Sequence, residues 1–313
     1  MKSNAEYIAE FEEDVRMRGW SEWPIKSCRY TLNMFFDIVD KNCVEVDIED
    51  LKKYYSKVKD RDGQLGKKQL SPETIRKHFN NLASFFEFLE FEDHIVKSPI
   101  PKFRRRYLGS ILRKSNGTSR RQIITVEQMS TMVNIILDPQ EKAILCTLAK
   151  TGVRVTELIS MDVDDIDWIR YSIKLKPTGK RHDQSIYFDN ETAKCLKRWL
   201  DVREEFARKG EKALFLNPSS GKRTTQAIAN NVVKKHAMKL GLHDDTSSDL
   251  SKRFTPHCCR HWFTTHLRRA GMPREYIMEL RGDARSDTMD IYDHIDEEEL
   301  RAAYMECVPK LGI

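Results

Sequence analysis

Three separated stretches of this chain carry residue types that together suit phosphate chemistry. The first is Thr151-Gly152-Val153-Arg154-Val155-Thr156-Glu157-Leu158, the second is His257-Cys258-Cys259-Arg260-His261, and the last is Thr288-Met289-Asp290-Ile291-Tyr292-Asp293-His294. A phosphodiester under attack becomes a crowded trigonal-bipyramidal phosphorane with extra negative charge. Arginine is planar, permanently charged and offers paired donors, so Arg154 and Arg260 could hold both non-bridging oxygens. A phenol titrates near ~10, so about one Tyr292 in a thousand is ionised at neutral pH. A cationic cluster stabilises the phenolate, and His257, at i, i+3 from Arg260 on one helix face, can accept or relay the proton. A sugar oxygen is a poor leaving group unless protonated, and a lysine, Lys176 or Lys180, could supply that proton. A phosphotyrosine bond conserves the bond energy, so a second hydroxyl can reverse the step without ATP or a metal.

Taken singly, each residue has a plainer role. Arg154 could cap a helix end with Glu157 as a surface partner. Tyr292 could pack on an amphipathic helix, and His257 could be a satisfied core histidine. The order of the motifs along the chain is what favours a site. A zinc site built on His257, Cys258, Cys259 and His261 is disfavoured, because adjacent cysteines diverge on a helix and no second ligand pair stands at finger spacing.

Such residues need elements to hold them. Residues 5–20 place Tyr7, Ile8, Phe11 and Val15 at helical spacing, and Gly19 ends that helix. Ser21-Glu22-Trp23-Pro24 opens a second helix bearing Tyr30, Leu32, Phe35, Phe36 and Val39. A third begins at Ile48 with Leu51, Tyr54 and Val58 on one stripe, and Asp60–Lys68 reads as a loop. Ser71-Pro72-Glu73-Thr74 caps a fourth helix, with Ile75, Phe79, Leu82, Phe85, Phe86 and Leu89 on its apolar face. Four such helices form a small bundle.

From Lys97 to Arg121 the composition shifts to nine lysines and arginines and no acid, with Pro99, Pro101, Gly109 and Gly117. Turn formers with unpaired positive charge predict an extended linker rather than a core element. Lys102, Arg104, Arg105, Arg106, Arg113, Lys114, Arg120 and Arg121 make it a candidate strap across a phosphate backbone; a solvated basic loop is the plainer reading. Beyond Ile124 helical patterns run over 127–137, 139–151, 190–208, 224–240, 256–270, 273–280, 286–293 and 296–305. Ile173–Lys176 and Gln184–Phe188 alternate as strands around the turn Pro177-Thr178-Gly179-Lys180.

The bulk numbers agree with two domains. The chain has 313 residues, 33% charged and 40% hydrophobic, and a net charge of +6. It has no run of about 18 apolar residues and no signal-peptide pattern at Met1–Glu6. Its seven cysteines are scattered, with no Cys-x-x-Cys pair, which suits a reducing cytoplasm.

On these motifs the second domain resembles the catalytic domain of the tyrosine recombinases, the phage integrase family, over about residues 125–305, with a Xer-like cast. That family carries its first arginine in Thr-Gly-x-Arg-x-x-Glu-Leu, here Arg154. Its second follows a histidine by three residues, here His257 and Arg260. Its nucleophile lies in a Leu-x-Gly-(His)…Thr-x-x-Tyr-x-His segment, here Leu280-Arg281-Gly282-Asp283 through Tyr292 and His294. The first domain resembles the family's helical core-binding domain.

The resemblance implies a mainly α fold with a small β-sheet (α+β). It implies a DNA-binding domain over 1–98, a basic linker over 99–122 and a catalytic domain over 123–313 that ends in an exchange segment. It implies Arg154, His257, Arg260 and a hairpin lysine as activators, with Lys180 nearer the family spacing than Lys176, and Tyr292 as nucleophile. No cofactor is implied. The partners would be double-stranded DNA with a specific target site and further copies of the chain, a tetramer on two duplexes, at the nucleoid. Type IB topoisomerase-like relaxation and a catalytically impaired DNA-binding protein are the alternative readings. Asp283 departs from the family, which has histidine or tryptophan there, and marks a sublineage variant of the sort associated with archaeal members. A carboxylate cannot donate to phosphate unless protonated, so Asp283 is expected to anchor Arg281 or Arg285 or to orient a catalytic group.

Overall fold

The computed structural model describes residues 2–59, 70–109, 123–177, 184–247, 249–283 and 295–313. The chain divides into two compact units, Met1–Thr118 and Ser119–Ile313. No helix of the described residues is long and apolar enough to cross a membrane.

The first unit is helical: α1 (Asn4–Met17), α2 (Glu22–Val39), α3 (Ile48–Lys59) and α4 (Pro72–Phe91). Local chemistry sets their ends. Ser3 and Glu6 form a capping box at the start of α1. The Ser71 hydroxyl accepts from the Thr74 amide, with Pro72 in the first turn of α4. Asp40 ends α2 in the left-handed region. The apolar stripes meet in one core, where Phe11, Phe35, Phe79, Phe85 and Phe86 are wholly buried. Their rings meet mostly edge to face, as between Phe11 and Phe85 at 5.5 Å.

The basic stretch after α4 departs from the extended linker that its composition predicts. Ile100–Phe103 is a short helix, α5, and Arg104–Leu108 continues as one π-helical turn. Ile100, Phe103 and Leu108 are buried in the first unit's core. Phe103 stacks on Phe79, with ring centroids 5.0 Å apart and planes at 7°, and on Tyr107 at 4.8 Å. The apolar residues recur at helical spacing among the arginines, and that period outweighs the charge. Pro99 and Pro101 stand at the start of the helix, where a missing N–H costs nothing. Lys102, Arg105 and Arg106 remain exposed, and Arg104 donates to Asn80 at 2.9 Å. Arg113, Lys114, Arg120 and Arg121 lie outside the described residues, as does the expected loop at 60–68.

The second unit is built around α7 (Pro139–Thr151), against which α6 (Val126–Asn134), α9 (Asn190–Phe206), α10 (Gln226–Lys239) and α11 (Pro256–Arg269) pack. From Ala143 to Thr151 every residue of α7 is buried, as a central helix requires. Its buried cation, Lys150, is compensated by Asp189 at 2.7 Å, Glu191 at 2.5 Å and the Pro309 carbonyl. Between α7 and α9 come a six-residue helix, α8 (Val155–Ser160), and an antiparallel sheet of β1 (Ile166–Asp167), β2 (Ser172–Leu175) and β3 (Gln184–Tyr187). The register pairs Ile166 with Ile173, and Ile173 with Ile186.

The hairpin matches the alternation in the sequence; α8 and β1 are too short to show a period. Two further helices, α12 (Arg274–Arg281) and α13 (Glu297–Cys307), complete the unit. In this single chain α13 packs on its own unit through Leu300 and Tyr304, and Leu311 joins the main core. The expected helix at 286–293 lies outside the described residues.

Candidate active site

The site assembles where four chain segments converge. α7 ends at Gly152, in the left-handed conformation at φ +62°. A Cβ there would lie 2.3 Å from Cδ1 of Phe263, so both the turn and the packing require glycine. Two residues later Arg154 is the N-cap of α8. Its amide donates to Glu157 Oε2 at 2.7 Å, and its Nη1 to Glu157 Oε1 at 3.0 Å. Glu157 is buried, so it is the fixed support of Arg154 rather than a surface partner.

Arg260 enters from α11 and its side chain is only 5% exposed. It donates through Nη1 to the Gly152 carbonyl at 2.7 Å and through Nη2 to the Arg281 carbonyl at 2.8 Å. Arg154 donates through Nη1 to the same Arg281 carbonyl at 3.3 Å. That oxygen ends α12, whose dipole places negative partial charge beside both guanidiniums. Gly282, again left-handed, turns the chain so that Asp283 faces them. Asp283 Oδ1 accepts from Arg260 at 2.9 Å and from Arg154 at 3.3 Å, while Oδ2 lies 3.0 Å from Arg281 Nε. The latter N–H makes no aligned hydrogen bond, so that contact is charge attraction only. Burial, and then the guanidiniums of Arg154 and Arg281, push the Arg260 guanidinium down to about 10, against Asp283 and Glu157. At neutral pH it keeps its charge.

His257 stands on the exposed face of α11, one turn before Arg260, with its ring 4.5 Å from that of His261. It opens on a cleft of about 510 Å³ that also takes in Arg154 and Arg260. Cys258 and Cys259 are both buried between them. Burial pushes the Cys259 thiol up, the reverse of what a metal-ligating thiolate needs. Among the described residues no group of three or more His, Cys, Asp or Glu could hold a metal ion.

The structure thus brings together Arg154, His257, Arg260 and Asp283. Lys176 is paired with another group: its ammonium is held by Asp162 at 2.5 Å, which Arg223 also engages. Lys180 and Tyr292 lie outside the described residues. The sequence reading missed the polar residues that α10 adds to the cleft lining, Gln226, Asn230, Asn231 and Lys234. Their spacing is helical, and that polar stripe after the Thr225 N-cap was the available signal. The reading also missed the Arg281 carbonyl, which no side-chain pattern announces.

A mainly helical unit that brings a nearly buried Arg260 and a partly exposed Arg154 to one cleft has a fold and a site suited to binding phosphate. Residues 122–299 match the phage integrase family. The curated relatives include "Tyrosine recombinase XerC" of Herpetosiphon aurantiacus, 31% identical over 75% of this chain and 73% of its own. The namesake from Bacillus subtilis is 28% identical over 78% and 77%. Among solved structures, the XerH site-specific recombinase bound to its palindromic difH substrate aligns over 91% of this chain and 80% of its own, with TM-score 0.68 and 19% identity. A lambda integrase dimer bound to a core site aligns over 94% and 98%, with TM-score 0.69 and 12% identity, and shares the fold. The chain belongs to the phage integrase family, and it is a tyrosine recombinase.

Proposed function

We infer that this enzyme is a site-specific recombinase that cleaves and rejoins double-stranded DNA through a 3′-phosphotyrosine intermediate. The observation that carries the reading is the convergence of Arg154 and Arg260 on shared acceptors beside the exposed His257. Two guanidiniums held by carbonyls and by a buried Glu157 are preorganised donors, which stabilise charge as it develops without reorganising. In this reading they bind the non-bridging oxygens of the scissile phosphate. Tyr292 attacks phosphorus, its proton passes by way of His257, and the 5′ oxygen leaves with a proton. Lys180 is the assigned donor of that proton, since Lys176 is already paired with Asp162. The bond passes from sugar oxygen to phenol oxygen and back, so the steps balance without ATP.

The test is a duplex nicked so that the cleaved end diffuses away. The wild-type protein should accumulate a covalent adduct on the 3′ side, and Tyr292→Phe should bind the same duplex and form none. Binding without adduct by the wild type would instead mark a DNA-binding module. Sedimentation of the trapped complex should give four protomers on two duplexes, the assembly in which the segment from Asp296 onward would be exchanged between subunits. Adducts spread evenly over unrelated sequences would remove the claim of a specific target.

A further inference from the structure

The seat that the proposed function gives to a phosphate is already filled by a carboxylate of the chain itself. Asp283 Oδ1 lies within 2.9 Å of Arg260 Nη2 and 3.3 Å of Arg154 Nη2, and Oδ2 faces Arg281. Carboxylates and phosphates present guanidinium with the same kind of charged, paired acceptor, so one can stand where the other binds. The remaining contacts of the two arginines run to the Gly152 and Arg281 carbonyls and to Glu157. Those groups are backbone or buried side chain and need not move. Asp283 alone is a partly exposed, terminal group, at 28% exposure, and it follows the left-handed Gly282.

The local charge gives the carboxylate a purpose. Three guanidiniums meet two carboxylates here, Glu157 and Asp283, and Arg260 is nearly buried. Without Asp283, the empty site would hold three mutually repelling cations with only Glu157 between them. A buried charge left without its partner is strongly destabilising.

We propose that Asp283 is a positioning residue that serves as a built-in phosphate surrogate, pairing Arg154 and Arg260 in the free enzyme and yielding its place to the scissile phosphate when DNA binds. The surrogate keeps the arginines in their working geometry, and it competes with every phosphate that enters. This rests on the reading of Arg154 and Arg260 as phosphate holders.

Inorganic phosphate is the probe, titrated into the full-length protein at constant ionic strength and followed by thermal melting. Asp283→Asn should melt lower than wild type without phosphate, and its half-saturating phosphate concentration should fall by about tenfold, because an internal competitor is gone. Asp201→Asn, which removes one exposed carboxylate on α9, controls for net charge and should match wild type. Adding Arg260→Gln to Asp283→Asn should abolish the gain. If Asp283→Asn does not fold, Asp283→Ser takes its place. A melting loss that phosphate does not selectively recover would leave Asp283 a merely structural cap and overturn the proposal. If Arg260→Gln weakens phosphate binding while Asp283→Asn equals Asp201→Asn, the surrogate role fails and the arginine reading stands. If Arg260→Gln changes phosphate binding in neither background, both fail.

Discussion

Gly152 shows how one residue can serve chain geometry and chemistry together. It ends α7 at φ +62°, leaves room for the Phe263 ring, and its carbonyl holds Arg260 at 2.7 Å. Alanine there would take the left-handed penalty of about 1–2 kcal/mol and an overpacking cost of about 1–3 kcal/mol. Gly152→Ala should therefore lower the melting temperature by roughly 4–20 °C, at about 2–4 °C per kcal/mol for a domain of this size. Because the displaced carbonyl is an Arg260 acceptor, adduct formation should fall even at temperatures where the variant is folded. A thermal melt superimposable on wild type would mean that Phe263 yields freely and that the glycine is not required for packing. Glu157 teaches the same lesson from another side. Its place in the motif was visible, but its burial, and hence its hold on Arg154, was not.

The elements divide by how local their causes are. α1 to α4, α9 and α11 carry long apolar stripes and α7 a proline-started, glycine-ended apolar run, so their existence follows from period and punctuation. α8 and β1 escape that reading because six residues and two residues hold less than two full periods. The segment after α4 was misread for a different reason. Its charge and prolines pointed outward, while Ile100, Phe103 and Leu108 pointed inward. Side chains between the charges, not the charges, decide whether such a segment packs.

Truncating Phe103, fully buried and stacked on Phe79, should accordingly cost about 3–5 kcal/mol. Amide hydrogen exchange is the suitable probe, since α4 and α5 should lose protection together in Phe103→Ala. The exposed Lys102→Ala should stay within about 0.5 kcal/mol of wild type. Protection unchanged in Phe103→Ala would restore the linker as an independent strap. At Asp283 the sequence expectation reached its neighbour Arg281 but not the pair that shares its Oδ1, Arg154 and Arg260. Arg154 and Arg260 lie 129 and 23 residues away from it in the chain, and only folding brings them there.

For the whole molecule the decisive quantity is where its charge sits, because a net +6 spread over 313 residues is modest. Exposed Lys102, Arg105 and Arg106, with Arg104 beside them, concentrate cation on one short turn that is anchored to the first unit's core. A cation on an anchored turn loses less entropy on meeting a phosphate than one on a free loop. Each phosphate neutralised on B-form DNA contributes a slope of about −0.9 to log affinity against log salt. Replacing Arg104, Arg105 and Arg106 with glutamine should flatten that slope by up to about 3 and weaken binding at low salt. The loss should be alike for cognate and unrelated duplexes, because phosphate contacts position and do not specify. Gln226, Asn230 and Lys234 on α10 offer base-reading chemistry, so their alanine variants should instead narrow the gap between cognate and unrelated duplexes. Equilibrium binding across a salt series, on both duplexes and with both sets of variants, separates the two effects. A triple glutamine variant with an unchanged slope would mean that the turn does not touch the backbone, whatever its charge.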